Sequence, residues 1–307
     1  MAAAPRLVNR LMNSALGRWL TARVAGIIDA PLLDPVPAAV RLANRGIPIS
    51  PLAELEQLPK AARVVVILQD AFTTFYEPAV LEASCLLLRT FGFEPHVLPY
   101  FENGKALHIK GFLRAFGRLV ERNANLLRRV SALGFPIIGI EPAVVLTYRD
   151  EYPKQLEGDA GFRVWLLQEF LAEQTVEPRA RSADADGIPV TRASGAATGF
   201  RLLSHCTEQA LAARAPAQWA QVFGALGLPL EIVKSGCCGM CGVYGHEVAH
   251  KQDSIGIFEL SWKRKLDPEL DPSRLLATGH SCRTQVERVM GFTPRHPVQA
   301  LMSVLER

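Results

Sequence analysis

Apolar and polar positions change their period several times along the chain. Between Leu7 and Val24 the residues Leu7, Leu11, Leu16, Trp19, Leu20 and Val24 mostly keep helical spacing, which predicts an amphipathic helix. Pro31, Pro35, Pro37, Pro48, Pro51 and Pro59 then punctuate the chain, and such a stretch reads as short helices and turns. Residues 1–62 are therefore expected to form a helical, proline-punctuated arm. At Val64-Val65-Val66-Ile67-Leu68 the pattern becomes a continuous, largely β-branched run, the signature of a strand covered on both faces of a parallel sheet. A helix over 78–92 stopped by Gly92, a strand over 96–98, a helix over 111–133 and a strand over 135–140 follow. That order predicts a parallel sheet with right-handed crossovers, giving a first α/β unit over 63–178.

Residues 179–199, rich in Ala, Ser, Asp and Gly, read as a linker. The same order of elements then begins again: a strand over 200–203 running into His205 and Cys206, a helix over 215–226, a strand over 230–233, helical residues over 254–260 and a strand over 275–277. This predicts an internal duplication, with a second α/β unit over 200–307. The fold class expected is α/β, two tandem pseudo-repeat units preceded by the helical arm. In the alignment of the halves, Asp70 answers to Cys206, Asn103-Gly104 to Cys237-Cys238 and Glu141-Pro142 to Cys282-Arg283. Where the second half has thiols the first has Asp, Asn, Gly or Glu, so only the second half is expected to bind metal.

Composition narrows the functional classes. Of 307 residues 49% are hydrophobic, and the formal net charge is only +4, with no long block of one sign to suggest a nucleic-acid partner. No stretch reaches the ~20 apolar residues of a membrane-spanning helix. Arg6, Arg10, Arg18 and Arg23 precede the first acidic residue, Asp29; the composition resembles a mitochondrial transit peptide, but the helical spacing favours a structural helix. Five of the six cysteines lie between 206 and 282, which argues for metal or redox chemistry in a reducing, cytoplasmic setting, any membrane association coming through partners. Cys85, among leucines in a helical run, is expected to be buried and inert.

Ligands of α/β units gather at the carboxyl ends of strands, where Cys206, Cys237, Cys238 and Cys282 are all predicted to fall. Four soft thiolates suit an iron–sulfur cluster or a closed zinc site. The vicinal pair favours the cluster, because adjacent side chains diverge and do not easily share one small ion. Cys238 and Cys241 have the two-residue spacer of a zinc knuckle, so Cys241 is an additional candidate ligand. The glycines at 236, 239, 242 and 245 allow backbone amides to approach sulfur. His205, His246, His280 and Arg283 flank the thiols and are expected to hydrogen-bond to sulfur or to offset charge.

The set Cys206, Gly236-Cys237-Cys238-Gly239-Met240-Cys241-Gly242, Tyr244-Gly245-His246-Glu247, Gly279-His280-Ser281-Cys282-Arg283-Thr284-Gln285 and His296-Pro297 resembles the cysteine-rich CCG domain family. That family includes heterodisulfide reductase B subunits and the iron–sulfur parts of glycolate and lactate oxidoreductases, and the resemblance covers about 63–307. Gly279 stands where the family pattern has the first cysteine of its closing pair. The first half, with Asn103-Gly104-Lys105-Ala106-Leu107-His108 and Glu141-Pro142-Ala143, most resembles the C-terminal region of bacterial FAD-dependent D-2-hydroxyglutarate dehydrogenases.

The resemblance implies an electron-transfer module carrying an iron–sulfur cluster of the 4Fe-4S type. Its expected partners are an FAD-binding dehydrogenase domain or subunit, which holds the FAD, and a ferredoxin-like cluster domain. Electrons would pass to a quinone or protein acceptor, and the chain would be a separate subunit or a split C-terminal part. Two other readings stand beside it: a zinc-stabilised docking module without redox function, and a thiol–disulfide enzyme using Cys237-Cys238 or Cys238 and Cys241.

Overall fold

In the computed structural model, residues 5–59, 63–174, 199–266 and 271–305 are described. The linker expected over 179–199 lies outside them apart from Gly199. Seven strands run in chain order: β1 Val64–Ile67, β2 Glu94–Val97, β3 Ile137–Gly139, β4 Val164–Leu166, β5 Phe200–Leu203, β6 Leu230–Ile232 and β7 Leu275–Ala277. They form two parallel sheets of order β2-β1-β3-β4 and β6-β5-β7. The fold is thus α/β with an N-terminal helical region, and each sheet puts the first strand of its half at the centre with the second and third on either side.

Strand register makes the internal repeat exact enough to count along. Val64 pairs with Glu94 where Phe200 pairs with Leu230, and Val66 pairs with Ile137 where Leu202 pairs with Leu276. Counting onward without gaps, Asp70 answers to Cys206 as expected. The other two correspondences shift by two residues: Cys237 and Cys238 answer to Phe101 and Glu102, and Cys282 answers to Ala143. The sequence alignment followed turn residues, whereas the hydrogen-bonded strands set the true phase. One consequence is that Glu141, not a thiol position, is the counterpart of His280.

The β-branched run of β1 is buried throughout, because successive side chains enter two different cores. Val65 and Ile67 join an apolar cluster that also contains Leu202, Trp219, Leu276 and Leu301 from the second half, while Val64 and Val66 face a cluster closed by Phe116, Leu127 and Tyr152. Each such fully buried side chain contributes about 1.5–3 kcal/mol, so the shared cluster ties the two halves together. Terminal helices are exchanged across it: the Leu167–Glu173 helix packs on the Ala215–Ala225 helix, and the Pro297–Leu305 helix packs on the Pro78–Thr90 helix.

Two features differ from expectation. The N-terminal periodicity resolves into two helices, Pro5–Asn13 and Ala15–Val24, divided at Ser14, whose side chain accepts the Gly17 amide as an N-cap. Neither helix has a buried residue. β4 was not predicted, being three residues long and led in by Arg163, whose guanidinium lies 3.3 Å over the Trp165 ring. Among the described residues no helix is long and apolar enough to cross a membrane.

Candidate functional site

β5, β6 and β7 end at one edge of the second sheet, and the segments leaving them carry the thiols. Cys206 begins the Cys206–Leu211 helix after β5, and Cys282 lies in the first turn of the His280–Met290 helix after β7. Cys237 and Cys238 sit in the irregular glycine-rich loop after β6. The structure brings these four side chains into a contiguous series: the Cys237 sulfur is hydrogen-bonded with both Cys206 and Cys238, and Cys238 also reaches Cys282. Cys238 and Cys282 are buried at 2% and 1% exposure, while Cys206 and Cys237 are partly accessible.

Backbone amides of the loop point at sulfur, with Gly239 N–H donating to Cys237 Sγ at 3.3 Å and Met240 N–H bonding to Cys238. Gly239 holds φ +86°, and a Cβ there would lie 2.1 Å from the Ser254 carbonyl oxygen, so this position admits no side chain. Thiol hydrogen bonds from Cys206 and Cys238, then the Gly239 amide, hold Cys237 well below the ordinary thiol range. The same bonds together with burial push Cys206 and Cys238 up. The thiol hydrogen bonds and the loop amide therefore converge on Cys237.

Cys241 differs from the four, although it is close enough to Cys237 for that thiolate to add to burial in raising its pKa. It is exposed, at a left-handed φ of +44°, and no thiol hydrogen bond joins it to Cys238. Cys85 is fully buried in the Pro78–Thr90 helix, and burial pushes its thiol up, as expected of an inert core cysteine. Among the described residues no group of three or more His, Cys, Asp or Glu side chains closes around a single metal ion. The thiols instead run as a series, with the vicinal pair bridging Cys206 on one side and Cys282 on the other.

The flanking residues separate into three environments. His205 is buried beside Cys237; its Nδ1 accepts the Thr207 amide at 3.2 Å and its Nε2 lies 3.4 Å from Ser281 Oγ. Burial lowers its pKa to about 4. A Cβ on Gly279 would fall 2.3 Å from the His205 ring, so the imidazole occupies the space that a side chain at 279 would need. His280 and Arg283 face the first half. His246 turns towards the arm, with Nδ1 3.0 Å from Arg288 Nη2 and 3.2 Å from the Ile28 carbonyl oxygen, so it does not flank the thiols directly.

Sequence reasoning missed the acidic residues that surround this site. Arg283, 2% exposed, pairs through Nε with Glu77 at 3.0 Å and again through Nη2, and its Nη1 donates to the carbonyls of Ala277 and Thr278. His280 Nδ1 lies 2.9 Å from the same Glu77 carboxylate, its ring stacks on Phe72 at 4.6 Å, and its amide donates to Glu141 Oε2 at 2.9 Å. Glu208 is fully buried two residues after Cys206, accepting from Gln168 and Thr278, while Thr278 accepts the His205 amide. Burial opposes ionisation of Glu77, yet Arg283 and His280 hold it well below the usual carboxylate range. Burial instead pushes Glu141 up to about 8 and Glu208 to about 7. The signal missed was the repeat itself, which places Glu141 opposite His280.

The fold and site together define a duplicated α/β protein with a thiol set at the sheet edge of one half and carboxylates closing over it from the other. No protein-family model matches the chain. It is similar to D-2-hydroxyglutarate dehydrogenases of Escherichia coli K12 (41% identity over 309 residues), Pantoea ananatis (39% over 308) and Haemophilus influenzae (36% over 310). These matches cover 99–100% of this chain but 29–30% of the relatives, so the chain spans under a third of their length and corresponds to their C-terminal part. A crystal structure of a hypothetical protein from Helicobacter pylori aligns with 98% of this chain and 57% of its own, at 14% identity and a TM-score of 0.42.

Proposed function

We propose that this chain is the electron-transfer part of an FAD-dependent D-2-hydroxy acid dehydrogenase, acting on D-2-hydroxyglutarate or a close analogue, and that Cys206, Cys237, Cys238 and Cys282 hold an iron–sulfur cluster. The observation that carries the reading is the contiguous thiol series, in which vicinal cysteines reach partners on opposite sides. One small ion is poorly served by such a spread, whereas a polynuclear cluster takes ligands over a wider span. Similarity to D-2-hydroxyglutarate dehydrogenases supplies the oxidoreductase context. The cysteine-rich CCG pattern supplies the expectation of a cluster. The FAD, the ferredoxin-like clusters and the substrate pocket would belong to partner regions.

The cluster, when bound, would store and pass single electrons. The chain's own residues do the rest. The Gly239 and Met240 amides offset thiolate charge without adding a titrating group. Arg283, neutralised by Glu77, fixes the turn that carries Cys282. Burial of Cys238 and Cys282 keeps water from that side of the site. Cys241 contributes nothing required in this scheme; the zinc-stabilised docking module, which would draw on Cys238 and Cys241, is the alternative that metal analysis separates from it. Iron and acid-labile sulfide in anaerobically purified protein would support the proposal; stoichiometric zinc without sulfide would overturn it.

A further inference from the structure

The two arm helices, Pro5–Asn13 and Ala15–Val24, keep large apolar side chains in solvent. Leu16, Trp19, Leu20 and Arg23 recur at the i, i+3, i+4 and i+7 spacing of one helical face, and all four are exposed, Trp19 at 57%. Leu7 and Leu11 are exposed in the same way on the preceding helix. The arm is nevertheless anchored. Asn9 exchanges two hydrogen bonds with the Leu33 backbone, at 2.7 and 3.0 Å. Ile27 bridges antiparallel to Glu247, with Ile28 N–H on the His246 carbonyl at 2.7 Å and Val248 N–H on the Gly26 carbonyl at 2.8 Å. A contiguous apolar face that is held in place and covered by no described residue marks an interaction surface.

Glu247 ties this face to the thiol edge. Besides bridging to Ile27, it pairs with Lys110 of the first half at 2.5 Å, and just beyond Lys110 the side chains of Phe112 and Leu113 are exposed, Phe112 at 62%. Residues 241–248 lead out of the glycine-rich loop of the vicinal cysteines, and Cys241, Val243 and Val248 are exposed along them. The apolar surface therefore runs from the arm to the loop that holds the partly accessible Cys237.

Charge and length select the occupant. Arg6, Arg10, Arg18 and Arg23 are the only charged side chains before Asp29, and among the described residues none of them pairs with an acid. Arg23 stands inside the apolar stripe, so covering it calls for an acidic group set within an apolar surface. A folded protein supplies that, whereas a bilayer keeps its phosphates above the apolar layer. The similarity to the three dehydrogenases covers 99–100% of this chain, the arm included, and over two thirds of each relative lies ahead of the matched C-terminal part. We infer that the arm face is the docking surface for an acidic, apolar-faced protein region, the remainder of the dehydrogenase. The surface stands on the exposure, charge and anchoring of the arm; the partner's identity rests on the function proposed above.

Isothermal titration of the full chain with the non-matching N-terminal part of the Escherichia coli D-2-hydroxyglutarate dehydrogenase, produced as a separate chain with a native near-UV circular dichroism spectrum, tests the surface. Binding in the micromolar range or tighter is expected, and none to the intact enzyme, whose own C-terminal part takes this place. Trp19→Asp should weaken binding by about tenfold or more, and Arg10→Glu with Arg23→Glu should do the same, while the near-UV spectrum of the chain stays unchanged because these side chains are exposed. No binding, or equal affinity in wild type and both variants, would overturn the proposal. So would co-sedimentation with phosphatidylcholine–phosphatidylglycerol vesicles that is lost in Trp19→Asp, which would make the face a membrane surface. Iron and sulfide measured on the same sample separate the two claims: a chain without cluster that binds sinks only the electron-transfer reading, and a cluster-loaded chain that does not bind sinks only this surface.

Discussion

Two glycines show how closely the site is fitted at the level of single atoms. Gly279 yields its side-chain space to the His205 imidazole, and Gly239 sits against the Ser254 carbonyl. Gly279→Ala is expected to cost about 2 kcal/mol, since the buried ring has to move against packed neighbours. Gly239→Ala should cost at least as much, because a left-handed backbone and a backbone clash add. Chemical denaturation of both variants checks this, with Gly224→Ala, which meets open space, as the control that changes little. The place of the four thiols after strands was legible in the sequence, because each follows a strand pattern. The role of Gly279 was not, because a missing side chain says nothing about which neighbour fills the gap.

At the level of elements, the carboxyl edges of the two sheets confront each other, and acidic side chains of one half meet the start of the His280–Met290 helix in the other. Glu77→Gln leaves Arg283 buried with only neutral hydrogen-bond partners, the new amide and the Ala277 and Thr278 carbonyls, which is expected to destabilise by about 3 kcal/mol, read by urea titration. Glu141 titrates in the opposite sense. Its folded pKa of about 8 lies above the carboxyl value of 4.5, so its contribution is complete below about pH 4 and is lost as pH rises through about 8. Asp70, Glu77, Arg283 and His280 are the charged or titratable groups around it. Glu141→Gln keeps an acceptor for the His280 amide but cannot ionise, so the variant should lack the wild-type loss of stability, on the order of 2 kcal/mol, between about pH 5 and pH 8. Equal slopes for the two proteins in thermal melts across that range would refute the assignment. Glu77 was not recognisable beforehand, being an ordinary polar residue in its own half, whereas Glu141 stood in the alignment of the halves two residues out of phase.

For the molecule as a whole, the repeat read from periodicity was sound in its elements and wrong in phase at two of three loop positions. Alternating helical and strand patterns report which elements exist. Loops of unequal length carry no period, so equivalence beyond β2 and β3 had to wait for hydrogen-bond register. The short β4 escaped because three residues do not establish a pattern. What the register adds is a reason for the half without candidate thiol ligands: it closes over the thiol edge and shares one core with it, so separate expression of 63–174 or 199–307 is expected to give aggregated or molten protein by near-UV circular dichroism, where independent units would each give a native spectrum.

The central claim is that Cys206, Cys237, Cys238 and Cys282 form one cluster site and that Cys241 and Cys85 stand outside it. The most direct measurement is the visible absorption and electron paramagnetic resonance of the anaerobic, dithionite-reduced chain, compared across single cysteine-to-alanine variants. An iron–sulfur signal that is lost or altered in Cys206→Ala, Cys237→Ala, Cys238→Ala and Cys282→Ala, and unchanged in Cys241→Ala and Cys85→Ala, is the result expected. A colourless, folded wild-type protein, or a signal that depends on Cys241 and not on Cys206 or Cys282, would contradict it.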